Sequence, residues 1–138
     1  MGCDEVILLD THVLVWVLND ERKLGRKARS LIDRHWTEGQ VAVASISFWE
    51  AGMLHSRRRL KLPSPVKNWR EEILAAGVRE IALDGAIAVR ALDLAGLPDD
   101  PVDRFIVASA IMSGAALLTA DEKLLGWRHV LERHDARN

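Results

Sequence analysis

VILLDTHVLVWVL, residues 6–18, changes its hydrophobic period in the middle. Val6 to Leu9 form an unbroken apolar run, short enough for a buried strand and too short for a buried helix. Beyond Asp10-Thr11 the apolar residues Val13, Leu14, Val17 and Leu18 recur at helical spacing, so the chain passes from strand to helix with an acid at the joint.

The same alternation repeats along the chain. A helix over about Leu24 to Trp36 stops near Gly39, and the short apolar run Val41 to Ala44 leads into a helix that carries Ser47, Glu50, Met53 and Leu54. After Pro63 and Pro65, a helix from Trp69 to Ala76 ends at Gly77, Val78 to Leu83 reads as a strand, and Gly85 to Ala95 as a helix closed by Gly96. Pro101 opens a helix that runs to Gly114; Ala115 to Leu118 is a strand and Thr119 to Leu125 a last helix. Strands alternating with helices imply an α/β fold, with a central, mostly parallel sheet flanked by helices on both faces.

With 138 residues, 49% of them hydrophobic and 28% charged, the chain fits a single domain, residues 1–138, with material for a real core. A formal charge of −1 excludes a strongly basic coat, so any nucleic acid must be held by a local patch. One cysteine, Cys3, excludes a disulfide framework and fits a reducing compartment. Asp4 and Glu5, rather than Lys or Arg, precede the first apolar run, which is too short for a signal or a membrane span; the expectation is an untargeted cytoplasmic protein with no membrane contact.

Four acids stand where an apolar run gives way to a helix or just inside one: Asp10 in LLDT, Glu50 in SISFWE, Asp103 in DPVDR and Asp121 in LLTADE. Each has a structural explanation. Asp10 can N-cap the first helix, Ser47 and Glu50 have capping-box spacing, Asp100 can cap ahead of Pro101 with Asp103 at the third position, and Thr119 with Glu122 repeats the box around Asp121. Caps do not require four acids at one sheet edge, however, where their repulsion costs stability. Ligands of open parallel sheets bind at the carboxyl ends of the strands, where these acids fall, and carboxylates gathered there call for a hard divalent cation.

In order and spacing, LLDTHVLVW, SISFWE, DPVDRFIVASA and LLTADEKL resemble the PIN-domain ribonucleases, and within them the VapC-type toxins of bacterial toxin–antitoxin pairs. The similarity spans about residues 6 to 127. It implies a PIN-like three-layer sandwich, an Mg²⁺- or Mn²⁺-dependent endoribonuclease, inhibition by a VapB-type antitoxin, and a homodimer. It also implies that Asp10, Glu50, Asp103 and Asp121 are the catalytic and metal-binding acids; because Mg²⁺ keeps several waters and takes few carboxylates, Asp10 and Asp103 are expected to be the principal ligands. One departure is Asp99, where relatives often carry a basic residue or His; an acid there is expected to add negative potential near the pocket.

Thr11 and Thr119 flank two of the acids and can bond the carboxylates or a water, or simply start helices. Arg104 is a candidate partner for an acid or a substrate phosphate. Phosphates can also meet Arg57-Arg58-Arg59 with Lys61, or Arg22, Lys23, Arg26, Lys27 and Arg29. His12 is expected to point away from Asp10, and Trp16 and Trp49 to pack in the core. A phosphoacceptor or aspartyl phosphatase is the alternative enzyme class, but its usual second Asp is replaced by His12, and Leu8-Leu9 stand where a receiver places an acidic pair. A catalytically silent RNA- or protein-binding module has to explain why none of the four acids is lost.

Overall fold

A computed structural model describes residues 5–138, so Cys3 and Asp4 lie outside the described residues. Five strands, β1 (Ile7–Leu9), β2 (Val41–Ala44), β3 (Arg79–Ile81), β4 (Ala116–Thr119) and β5 (Arg133–Asp135), form one sheet in the order β3-β2-β1-β4-β5, and every pairing is parallel. The central register aligns Leu9 with Val43 on one side and with Leu118 on the other. Both faces are covered, as an all-parallel sheet requires.

Strand alternation sorts the apolar runs into two cores. Ile7, Leu9, Val41, Val43 and Leu118 face α1 (Thr11–Leu18), α2 (Arg26–Thr37), α3 (Ser45–Ser56) and α4 (Val66–Ala75), while Leu8, Ala42, Ala44 and Leu117 face α5 (Gly85–Arg90), α6 (Pro101–Ser113) and α7 (Glu122–Leu125). Ile7, Leu8, Leu9, Leu117 and Leu118 are fully buried, each contributing about 1.5–3 kcal/mol by its removal from water. This is the expected three-layer arrangement.

Two segments depart from the sequence reading. The expected helix to Ala95 ends at Arg90, because the carbonyls of the following loop find another partner: the Arg104 guanidinium donates to Ala91 (2.9 Å), Leu97 (2.8 Å) and Pro98 (3.2 Å). β5 is an unanticipated strand. Its Arg-His-Asp sequence is polar because it lies at the sheet edge. Arg133 fixes the loop before it by donating to the carbonyls of Leu124, Trp127, His129 and Leu131. Beyond β5 the chain runs so close to α2 that a Cβ on Gly25 would come within 2.0 Å of the Asn138 carbonyl oxygen. Among the described residues, no helix is long and apolar enough to cross a membrane.

Candidate metal centre

With this strand order the chain leaves β1 toward β2 on one side and enters β4 on the other, which opens a crevice between the carboxyl ends of β1 and β4. A cleft of about 400 Å³ lies there, lined by Asp10, His12, Trp16, Glu50, Asp100, Asp103, Ala120, Asp121 and Arg137. All four sequence-derived acids therefore reach one cavity.

Their settings differ. Asp10 follows β1 directly and N-caps α1, with Oδ1 accepting from the Thr11 amide at 2.8 Å; only 8% of the residue is exposed. Its Oδ2 accepts from the hydroxyl of Thr119 at 2.7 Å, and the same hydroxyl accepts from the Asp121 amide at 3.1 Å. Thr119 is the last residue of β4 and fully buried, so it orients two cleft acids rather than starting a helix. Asp121 itself N-caps α7, accepting from the Lys123 amide.

Glu50 reaches the cleft from the second turn of α3. Ser47, one turn before it, is no cap: it lies inside the helix, buried, and accepts from the Thr11 hydroxyl at 2.9 Å, pinning α3 to α1. Asp103 occupies the third position of α6 as expected, while Asp100 caps that helix through the Val102 and Asp103 amides. Among the described residues, the Asp103 carboxylate has no hydrogen-bond donor of its own. The amino ends of α1 and α6 both point at the cleft, and their dipoles offset part of its negative charge.

The electrostatics match the crowding. Burial pushes the Asp103 carboxyl up to about 7, aided by the charges of Asp100, Asp10, Asp121 and Glu50. Burial also raises Asp10, against the lowering effect of the Thr119 and Thr11 bonds, and it raises Glu50. Such a set is relieved by a cation.

A donor set made only of carboxylate oxygens suits Mg²⁺ or Mn²⁺. No three of these acids bring their oxygens within 4.8 Å of one another; among the described residues that holds only for Glu5, Glu132 and His134, which precede or lie on β1 and β5. Spaced carboxylates suit an ion that keeps several waters. At that second cluster, burial together with the hydrogen bond and charge of Glu132 raises the Glu5 pKa.

Several expectations need correction. His12 lines the cleft instead of pointing away, and Trp49 is 58% exposed rather than core; Trp16 does pack, partly buried, against the core while also lining the cleft. Asp99 does not line the cleft and pairs with Arg104 at 3.5 Å. Arg104, bound to backbone carbonyls, therefore pairs with an acid but serves the loop. Arg137, unanticipated, enters the cleft from beyond β5.

Replacing Thr119 with Val removes the Asp10 donor while keeping the shape. We expect RNA cleavage and Mn²⁺ affinity to fall about 10- to 100-fold with little change in melting temperature, as for other residues that orient a ligand. Unchanged Mn²⁺ affinity and turnover would show that Asp10 needs no such support.

The PIN domain family profile matches residues 7–127 of this chain. Ribonuclease VapC22 from Mycobacterium tuberculosis is 36% identical over 124 residues, which cover 89% of this chain and 92% of that protein. In fold, the chain is similar to VapBC2 from Rickettsia felis bound to a DNA fragment from its promoter (TM-score 0.69, 17% identity, 94% of this chain and 98% of that one). It is also similar to DNA-bound VapBC from Salmonella typhimurium (TM-score 0.68, 15% identity, 95% and 98%). A profile spanning most of the chain, and a relative this close along nearly its whole length, establish that the chain belongs to the PIN domain family.

Proposed function

We propose that this protein is an endoribonuclease that acts as the toxin of a toxin–antitoxin pair, using a divalent metal held by Asp10 and Asp103 with Glu50 and Asp121. The observation that carries the reading is the convergence of four carboxylates from β1, α3, α6 and the end of β4 on one open cleft. Relatedness to a protein named a ribonuclease supports the reaction class, and likeness to VapBC complexes supports a VapB-type antitoxin as partner. The homodimer rests on the family resemblance.

When bound, Mg²⁺ or Mn²⁺ supplies charge neutralisation at the phosphoryl oxygens and an acidified water. The chain's own residues do the rest. Asp10 and Asp103 would hold the ion, Glu50 and Asp121 would complete the ligand set or orient the attacking water, and Thr119 holds Asp10 in place.

The test is cleavage of total cellular RNA by the purified protein with cleavage sites mapped. Cleavage is expected with Mg²⁺ or Mn²⁺ and should vanish in EDTA. Cleavage that persists in EDTA would overturn the metal-dependent reading.

A further inference from the structure

We propose that Arg137 is the phosphate anchor of this cleft, holding an RNA backbone phosphate beside the acids; this rests on the ribonuclease reading. A cleft lined by five acids repels a polyanion, and a cation at the ligand sites answers only the phosphate directly on it. Among the described residues, Arg137 is the one Lys or Arg side chain that lines the cavity.

Its position is built by the sheet. Ala136 is fully buried, its amide donates to the Thr119 carbonyl at 2.9 Å, and its carbonyl accepts from the Gly25 amide at 2.9 Å. The next residue therefore emerges at the carboxyl edge of the strands, beside the cleft. The guanidinium is oriented as well as placed: Nε and Nη2 donate to the two Asp135 oxygens at 3.0 and 2.9 Å, and Nη1 to Glu122 Oε1 at 3.3 Å. Three of its five N–H groups are used, and two remain for a phosphate, the planar fork geometry that suits such an oxyanion. Glu122 adjoins Asp121, so an anchored phosphate neighbours the proposed ligands.

A purely structural role, tying the segment after β5 to α7, is the competing explanation, and salt dependence separates the two. Binding of a fluorescein-labelled oligouridylate is measured by anisotropy across a salt series. The parent is full-length Asp103→Asn protein, whose cleavage is expected to be too slow to consume the probe, compared with the same protein carrying Arg137→Ala or Arg137→Lys. Arg137→Ala should weaken binding about tenfold and reduce the slope of log affinity against log salt by about 0.7, one phosphate contact on a single strand. Arg137→Lys should keep the slope and lose part of the affinity. An unchanged slope in Arg137→Ala, whatever its melting temperature, or no measurable binding by the parent, would overturn the proposal. Cleavage by the unmodified protein is scored separately, so a failed ribonuclease reading shows up there, independently of the slope.

Discussion

Replacing Asp103 with Asn is expected to lower RNA cleavage by about a thousandfold or more, and Asp10→Asn to do the same, although neither exchange removes a group the fold depends on. A thousandfold is about 4 kcal/mol of transition-state stabilisation, of the order that a charged group acting on a developing oxyanion supplies. Asparagine keeps the size and the carbonyl acceptor. At position 10 it can still accept from the Thr11 amide and cap α1. At position 103 the capping of α6 belongs to Asp100 and is untouched. What each change removes is a charged oxygen ligand. The measurement is cleavage at saturating Mn²⁺ together with Mn²⁺ affinity of the purified variants. Wild-type turnover in either variant would place the reaction elsewhere.

How this cleft was legible in the chain depends on the kind of information each residue carries. Asp10, Asp103 and Asp121 sit at junctions where the hydrophobic period changes, and the parallel sheet brings such junctions to one edge. Their local roles could also be read, since Asp10, Asp100 and Asp121 do cap helices. Capping and lining a common cleft turned out to be compatible. For Glu50 the capping explanation fails: Ser47 lies within α3 and meets Thr11, a residue 36 positions away, so the capping-box spacing is coincidental. Thr119 looked like a helix start because strand β4 extends one residue further than its apolar run suggests.

The misses share a cause. β5 is polar and three residues long, held by pairing with β4 rather than by a hydrophobic face, so nothing in its own sequence marks it. Arg137 follows it, and its arrival in the cleft depends on that pairing. Asp99 is misplaced for the converse reason, and Arg104 finds its expected acid away from the cleft: proximity to Asp103 in sequence suggests proximity to the cleft, whereas the helix turns Arg104 toward Asp99 and the loop that it satisfies. Local patterns encode elements, and pairings distant in sequence decide which side chains share a cavity.

Without metal, the protein should lose stability as pH rises from about 4 to about 7, and Mn²⁺ should restore more of it at pH 8 than at pH 5. The sign follows from which state binds the proton more tightly. Asp103 in the folded protein is raised to about 7 from an ordinary 3.8, so between these values the folded state carries the extra proton. Stability then falls with rising pH across that window and levels off above it. Asp10 and Glu50, also raised, act in the same direction. A shift of Asp103's size corresponds to about 4 kcal/mol for a fully enclosed group; at a half-buried side chain in an open cleft, solvent screening reduces this to about 2 kcal/mol. For a chain of this length that is a fall of several degrees in melting temperature. Metal binding requires the ionised carboxylates, so protons compete with Mn²⁺ at pH 5 and its stabilising effect is largest where the apoprotein is weakest. Asp103→Asn removes the titrating group and should flatten the metal-free profile while raising the melting temperature at pH 8. Thermal melts from pH 4 to pH 8, with and without Mn²⁺, test both. A metal-free melting temperature that rises steadily over this range, or Mn²⁺ stabilisation that shrinks toward pH 8, would mean that these carboxylates are not the strained, cation-seeking set that burial and mutual repulsion make them.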